Sequence, residues 1–249
     1  MTDADLAFTL AKQAGEILIS LQKSGLFDGK ALGKAGDRVA NAFIMEALAA
    51  QRPADYVLSE EEAANPARLT QCQVWIVDPL DGTREYGEGR TDWAVHIGLA
   101  IDGVASIGAV ALPGLNITLS TAAPPAPPPP ADRLRMLVSR TRPAAEALAV
   151  AASLNATLIP MGSAGAKAMA VLRGEADIYL HSGGQYEWDS CAPIALARAA
   201  GLHTSRIDGS ALRYNQPNPY LPDLLICHPS IAGQVLELIE GERPGGSAA

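Results

Sequence analysis

The chain is short of cations. Its 249 residues carry 19 Lys and Arg against 27 Asp and Glu, a formal charge of −8, with a pI near 5.0. Nucleic-acid binding usually leaves a basic footprint, so that class is excluded. An acidic protein that handles an anionic substrate has to supply positive charge locally, and a bound metal ion does so. Cysteine is also scarce. Cys72, Cys191 and Cys227 are far apart and odd in number, which makes neither a disulfide framework nor a zinc set. They read as small core residues, and free thiols fit a reducing, cytoplasmic setting. The four histidines, His96, His181, His203 and His228, have no ligand spacing, so none is assigned to chemistry. The acidic start, residues 1–5, has no apolar signal core, so no targeting segment is expected. The most apolar stretch, 93–112, is interrupted by His96 and Asp102 and alternates like a strand, so no membrane span is expected.

What is present is an ordinary globular composition, 48% hydrophobic and 18% charged, on a chain long enough for one large or two modest domains. Leu6, Leu10, Ile17, Leu18 and Leu21 at helical spacing predict an amphipathic helix over 3–22. A glycine-rich loop through Gly25, Gly29, Gly33 and Gly36 follows, and Asp37 then opens a second helix as its cap or as a functional acid. A short strand at 56–58 ends in Ser59-Glu60-Glu61-Glu62. Trp93, Val95, Ile97, Leu99 and Ile101 mark a half-buried strand, Asp102-Gly103 a hairpin, and the chain returns over 104–112 and again over 116–120, an antiparallel meander. Six prolines within 122–131 read as a stiff exposed linker. The division is therefore 1–121, linker 122–131, and 132–249. Beyond the linker, strands at 134–138, 156–160, 176–180 and 224–226 alternate with helices at 141–154, 164–173, 188–201 and 231–239, which predicts a three-layer α/β unit. Residues 241–249 read as a frayed tail. No internal repeat is visible.

The chemistry concentrates in one stretch, Trp75-Ile76-Val77-Asp78-Pro79-Leu80-Asp81-Gly82-Thr83-Arg84-Glu85-Tyr86. An apolar strand runs into two carboxylates three positions apart. Pro79 enforces an extended turn, Gly82 allows a tight bend, and Thr83 brings a hydroxyl beside amides that open a short helix. Hard divalent cations take the oxygens, and a phosphate takes the amides. Glu60 ends a strand that can lie beside this one, and Asp189 stands at a helix start beyond the linker, as a cap or as a ligand. Together the four acids suit metal-assisted phosphate-ester hydrolysis.

These residues carry a resemblance. With the second block Gly162-Ser163-Ala164-Gly165-Ala166-Lys167, Gly174-Glu175-Ala176-Asp177-Ile178-Tyr179, Glu187-Trp188-Asp189, Ala192-Pro193 and Leu212-Arg213-Tyr214-Asn215, the chain resembles the inositol monophosphatase superfamily. Leu80 and Arg84-Glu85 resemble its 3′(2′),5′-bisphosphate nucleotidase branch more narrowly. The resemblance implies a layered αβαβα fold and a lithium-sensitive phosphatase with two Mg²⁺ ions per site, or three. It assigns Glu60, Asp78, the Leu80 carbonyl, Asp81 and Asp189 to metal. Gly82 and Thr83 would hold the phosphate, and Thr83, oriented by Asp37, would activate the attacking water. Glu60, Leu80, Asp81, Ser163, Lys167 and Asp189 would also line the substrate site, where Lys167 pairs with a second phosphate or simply faces solvent. Tyr86, Trp93, Tyr186 and Trp188 are candidate base stackers or core residues, and Ser139 and Thr141 are weaker cleft candidates. The glycine-rich 30–36 stretch lacks the polar lead-in that supports a third metal in relatives.

The expected reaction removes the 3′-phosphate of adenosine 3′,5′-bisphosphate, giving AMP, with the phosphosulfate as a further substrate in sulfate assimilation. The partner is then a small phosphorylated molecule, and the enzyme acts as a monomer or a homodimer. Two rivals stand beside it: an inositol or fructose bisphosphate phosphatase on the same fold, and a metal-dependent binding protein without turnover.

Overall fold

The structure is a computed structural model and describes residues 1–241; the expected frayed end over 242–249 lies outside them. Two helices come first, α1 (Asp3–Lys23) and α2 (Gly29–Gln51). A five-stranded sheet follows: β1 (Tyr56–Ser59), β2 (Gln73–Asp81), β3 (Ala94–Ile101), β4 (Val104–Leu112) and β5 (Ile117–Ser120), in that spatial order. β1 is parallel to β2, and the rest form the expected antiparallel meander. The short helix α3 (Thr83–Gly87) sits between β2 and β3. The hairpin after β3 turns on Asp102 and Gly103, both at positive φ, as an Asp-Gly pair favours.

The second sheet contains β6 (Arg135–Ser139), β7 (Thr157–Met161), β8 (Ile178–Ser182), β9 (His203–Ser205) and β10 (Asp223–Cys227), ordered β7-β6-β8-β10-β9. β7, β6 and β8 are parallel, whereas β10 runs antiparallel to β8 and β9. Its helices are α4 (Ala145–Ser153), α5 (Ala164–Leu172), α6 (Glu187–Ala199) and α7 (Pro229–Gly241). β9 has only three residues and no alternating pattern to announce it. α4 starts at Ala145 rather than 141, because Pro143 keeps the preceding residue extended.

Strand periodicity sorts the side chains into layers. Trp75, Val77, Val95, Ile97 and Leu99 point into a core with α1 and α2. Val74, Ile76, Ala94 and Ala100 point the other way, into a core shared with α5, α6 and the inner face of the second sheet through Leu137, Tyr179, Leu224 and Ile226. Met136, Val138, Ile178, Leu180, Leu225 and Cys227 face α4 and α7. The order is helices, sheet, helices, sheet, helices: the α/β sandwich expected from the sequence. β3 is consequently buried on both faces from Ala94 to Ala100, not half-buried, because α6 covers the face the alternation left for solvent.

Two further expectations are corrected. The loop between the first helices is only 24–28, so Asp37 lies inside α2 and is not its cap. Gly33 and Gly36 are helical, and glycine is needed there because neighbours crowd them: a Cβ on Gly33 would sit 2.6 Å from Thr83 Cγ2, and one on Gly36 would sit 2.8 Å from Tyr86 Cε1. Cys191 and Cys227 are buried as expected, but Cys72 is exposed. The proline-rich segment forms neither helix nor strand up to Ala131, whose N–H donates to Asp177 Oδ1 at 3.0 Å. No helix among the described residues is long and apolar enough to cross a membrane.

Candidate functional site

β2 delivers the first acids. Its pairing with β3 is irregular between Asp78 and Asp81. Pro79 interrupts the ladder there, which turns both carboxylates toward the same side. Asp78 is 1% exposed and its Oδ1 accepts from Leu80 N–H at 3.0 Å. Asp189, the third residue of α6, comes from the other half of the chain; its Oδ2 accepts from Tyr186 N–H at 2.7 Å. Oxygens of Asp78, Asp81 and Asp189 all lie within 4.8 Å of one another. Glu60, one residue past β1, borders this group at an exposed rim and its carboxyl meets that of Asp78.

Crowded carboxylates resist ionisation. Burial, then the charges of Glu60, Asp81 and Asp189, holds Asp78 well above the usual carboxylate range. The protein around Glu60, and then the charges of Asp189, Asp81 and Asp37, push it up to about 7. Burial and the charge of Asp81 push Asp189 to about 7 as well. Asp81 is the exception. Burial alone would raise it, but His96, the Gly165 N–H at 2.6 Å and Lys167 together bring it below its ordinary value. A buried, all-oxygen cluster with one member held ionised is the donor set of a hard divalent cation.

Thr83 opens α3 immediately after Gly82, which adopts a φ of 90°. A Cβ there would lie 3.0 Å from Ser163 Cβ and 3.2 Å from Trp93 Cβ, so both the backbone angle and the space require glycine. Thr83 Oγ1 lies 3.2 Å from Asp37 Oδ1 and 3.2 Å from the Leu80 carbonyl, and its one proton can serve either. Burial and then the charge of Glu61 raise Asp37 to about 6. Asp37 therefore reaches the site from the third turn of α2, across the contact at Gly33.

A cavity of about 630 Å³ adjoins the acids and is lined by Asp81, Gly82, Thr83, Asp189 and by residues of the second half, among them Ser139, Thr141, Ser163, Lys167 and His181. Ser163 caps α5, its Oγ accepting from Ala166 N–H at 2.9 Å. Lys167 is not on a solvated face: it is 3% exposed, and its Nζ donates to the Gly162 carbonyl and, at 2.7 Å, to that of Ser163. Burial lowers it to about 8, against the opposing pull of Asp81, Glu85 and Asp189. The aromatic candidates lie elsewhere. Tyr86 and Trp93 are fully buried and pack edge to face, with Tyr86 O–H donating to Leu18 O at 2.7 Å. Tyr186 and Trp188 stack on each other, ring centroids 4.8 Å apart.

Two residues were not singled out by the sequence. His96 is completely buried between Asp81 Oδ2, 3.2 Å from Nε2, and the Trp188 carbonyl, 3.1 Å from Nδ1. The first contact is one of charge more than of direction, for Nε2 is not aligned for a hydrogen bond. The available signal was a lone ionisable residue on the even-numbered face of β3, the face that alternation alone assigned to solvent. Arg140, just past β6, donates to Glu85 Oε1 at 2.8 Å and Glu88 Oε2 at 2.9 Å, fastening the second half of the chain to α3.

The chain is similar to known proteins over nearly its whole length. The model of the inositol monophosphatase family matches residues 2–124 and 133–241, omitting most of the proline segment. A protein of Mycobacterium leprae named 3′-phosphoadenosine 5′-phosphate phosphatase is 48% identical over 96% of this chain and 94% of its own length. The 3′(2′),5′-bisphosphate nucleotidase CysQ of Escherichia coli is 29% identical over 75% of this chain and 81% of its own. Among solved structures, CysQ from Bacteroides thetaiotaomicron superposes with a TM-score of 0.78 at 26% identity, covering 91% of this chain and 97% of that one. Fold, acidic cluster and sequence agree that the chain belongs to the inositol monophosphatase family.

Proposed function

We propose that the protein is a Mg²⁺-dependent phosphatase that removes the 3′-phosphate from adenosine 3′,5′-bisphosphate. The observation that carries the hydrolytic chemistry is the convergence of Asp78, Asp81 and Asp189 within 4.8 Å, next to a threonine bonded to a carboxylate. The choice of nucleotide rests on the 48% identity to the mycobacterial phosphatase of that name. Glu60, Asp78, the Leu80 carbonyl, Asp81 and Asp189 are the groups that would hold two magnesium ions. When bound, the ions would polarise the phosphoryl oxygens and lower the pKa of a water. Gly82 and Thr83 present backbone amides at the start of α3 to the phosphate. Thr83 receives the water's proton and passes its own to Asp37, which is mostly ionised at neutral pH because its value is about 6. His96 and the Gly165 amide keep Asp81 oriented and charged. The leaving ribose hydroxyl and the nucleoside occupy the cavity in front of α5. The glycine-rich stretch at 30–36 is part of α2, and two ions rather than three are assigned.

The test is release of phosphate from adenosine 3′,5′-bisphosphate, inositol 1-phosphate and fructose 1,6-bisphosphate, each with Mg²⁺ and with millimolar lithium added. The bisphosphate nucleotide is expected to be turned over best and lithium to inhibit. Faster turnover of inositol phosphate would replace the substrate. No release from any monoester would leave a binding protein. Asp78→Asn is expected to cut kcat by about 10³-fold or more while circular dichroism stays that of the wild type.

A further inference from the structure

The acids of the site come from both halves of the chain, and one loop is bonded to both. It is 206–222, between β9 and β10, and it wraps the start of α6. Leu221 N–H donates to the Gln185 carbonyl at 3.0 Å, and Glu187 N–H to the Pro219 carbonyl at 2.8 Å. Deeper in the loop, the Asn215 and Gln216 N–H groups donate to the two carboxylate oxygens of Glu187 at 2.6 and 2.7 Å. Tyr214 Oη lies 3.1 Å from Ser190 Oγ. Glu187 stands two residues before Asp189 and Ser190 one after it, so the bend at 214–216 fixes both flanks of that acid. The block Leu212-Arg213-Tyr214-Asn215 thereby acquires a role, although none of its residues lines the cavity in front of α5.

The other side of the bend belongs to the first half. Arg68 sits in a short 3₁₀ turn, Pro66–Thr70, that packs on β1, the strand leading to Glu60. Its guanidinium donates to Asn215 Oδ1 at 2.6 Å and to the Gln216 carbonyl at 2.9 Å, and Asn215 Nδ2 returns a bond to the Arg68 carbonyl at 2.9 Å. Tyr214 N–H adds a bond to the Gly103 carbonyl, at the hairpin between β3 and β4, at 3.0 Å. Arg68 is 2% exposed and Glu187 1%. A buried cation and a buried anion are thus joined through a bend that gives its oxygens to the first and its amides to the second. Hydrogen bonds with an ionised partner are the stronger kind, and neither charge can be removed without stranding the other. Asn215 suits the place in one more way. Its φ is 59°, a left-handed conformation that asparagine tolerates better than most residues.

We infer that Arg68, Asn215 and Glu187 are positioning residues for the metal centre: they span the two halves of the chain and hold Asp189 at the separation from Asp78 and Asp81 that a divalent cation needs. This rests on the metal-dependent reading above. The three act through Asp189 and not on the substrate.

The experiment uses Asn215→Gly, Asn215→Asp and Tyr214→Phe. Glycine keeps the left-handed backbone and the amide bonds to Glu187, but deletes the carboxamide that holds Arg68. Aspartate keeps an acceptor for Arg68. Phenylalanine removes only the hydroxyl facing Ser190. Mg²⁺ affinity of each protein is measured by calorimetry without substrate, beside Tm in EDTA. The Mg²⁺ dissociation constant is expected to rise about threefold to tenfold in Asn215→Gly and in the same direction in Tyr214→Phe. Asn215→Asp should fall between Asn215→Gly and the wild type. A bend that served the fold alone would lower Tm and leave the dissociation constant unchanged, and that result in Asn215→Gly overturns the positioning role. If Asn215→Gly does not fold, Tyr214→Phe decides by the same measure. Wild-type protein that binds no Mg²⁺ overturns the metal reading, and the positioning role with it.

Discussion

Each acid at the centre is placed by a different local cause. Asp78 and Asp81 lie on one strand where Pro79 interrupts the ladder, and Asp189 comes from the start of a helix more than a hundred residues later. Their shared cost is electrostatic. Glu60 and Asp189 titrate near 7 in the folded protein, well above 4.5 and 3.8. The folded chain thus keeps protons that the unfolded chain has released, and between about pH 4.5 and 7 the metal-free protein loses stability as pH rises. Divalent metal acts in the opposite sense, since it binds the ionised form and only the fold assembles the site. In EDTA, Tm is expected to be lower at pH 8 than at pH 5.5, and the increase in Tm on adding Mg²⁺ should be larger at pH 8. A metal-free Tm that rises over this interval would contradict the clustering. The run from Asp78 to Thr83 was legible because its geometry is local: strand, proline, acid, glycine, hydroxyl. His96 was not, because its role depends on a helix from the other half covering β3.

At the scale of elements, α2 is where sequence pattern and structure part. Four glycines between 25 and 36 read as a loop because glycine weakens a helix by about 1 kcal/mol relative to alanine. α2 nevertheless includes three of them, and at Gly33 and Gly36 only a residue without a Cβ lets it approach α3. That approach sets the 3.2 Å contact between Asp37 and Thr83. In Gly33→Ala the new methyl would lie 2.6 Å from Thr83 Cγ2 and 3.1 Å from Thr83 O. The gain in helix propensity is outweighed by overpacking of about 1–3 kcal/mol. Because Thr83 is what must move, kcat should fall at least tenfold with little change in the Mg²⁺ concentration needed for half-maximal rate. Normal kcat in this variant would detach the Asp37–Thr83 pair from the chemistry. The opposite lesson comes from α5, which was legible to within a residue: Ser163 caps it, its small residues fit between the sheets, and no long-range contact had to be known.

Across the whole molecule, the layering decides whether the site exists. α6 carries Asp189 and lies between the two sheets, packed on β3 and β4. The alternation of strands and helices announced a second α/β layer set, but not that α5 and α6 would serve both sheets, because an apolar helix face does not name its partner. The evidence of that sharing is in two glycines. A Cβ on Gly98 would lie 2.9 Å from Cys191 Sγ, and one on Gly108 would lie 2.5 Å from the Ala192 carbonyl. β3 and β4 present a flat strip against which the α6 backbone rests, three residues beyond Asp189. Gly108→Ala must therefore push α6 off the first sheet, since a backbone carbonyl cannot rotate aside. Asp78 and Asp81 stay with their strand while Asp189 retreats, opening the three-carboxylate cluster from one side. The variant is expected to need several-fold more Mg²⁺ for half-maximal rate, an effect on the order of 1 kcal/mol, and to gain less thermal stability from Mg²⁺ than the wild type. Its kcat at saturating metal should fall less than in Gly33→Ala, since the Thr83–Asp37 pair is set by the contact of α2 with α3 and not by α6. If Gly108→Ala instead lowered Tm without changing the metal requirement, the position of Asp189 would not be set by the packing of α6 on that strip.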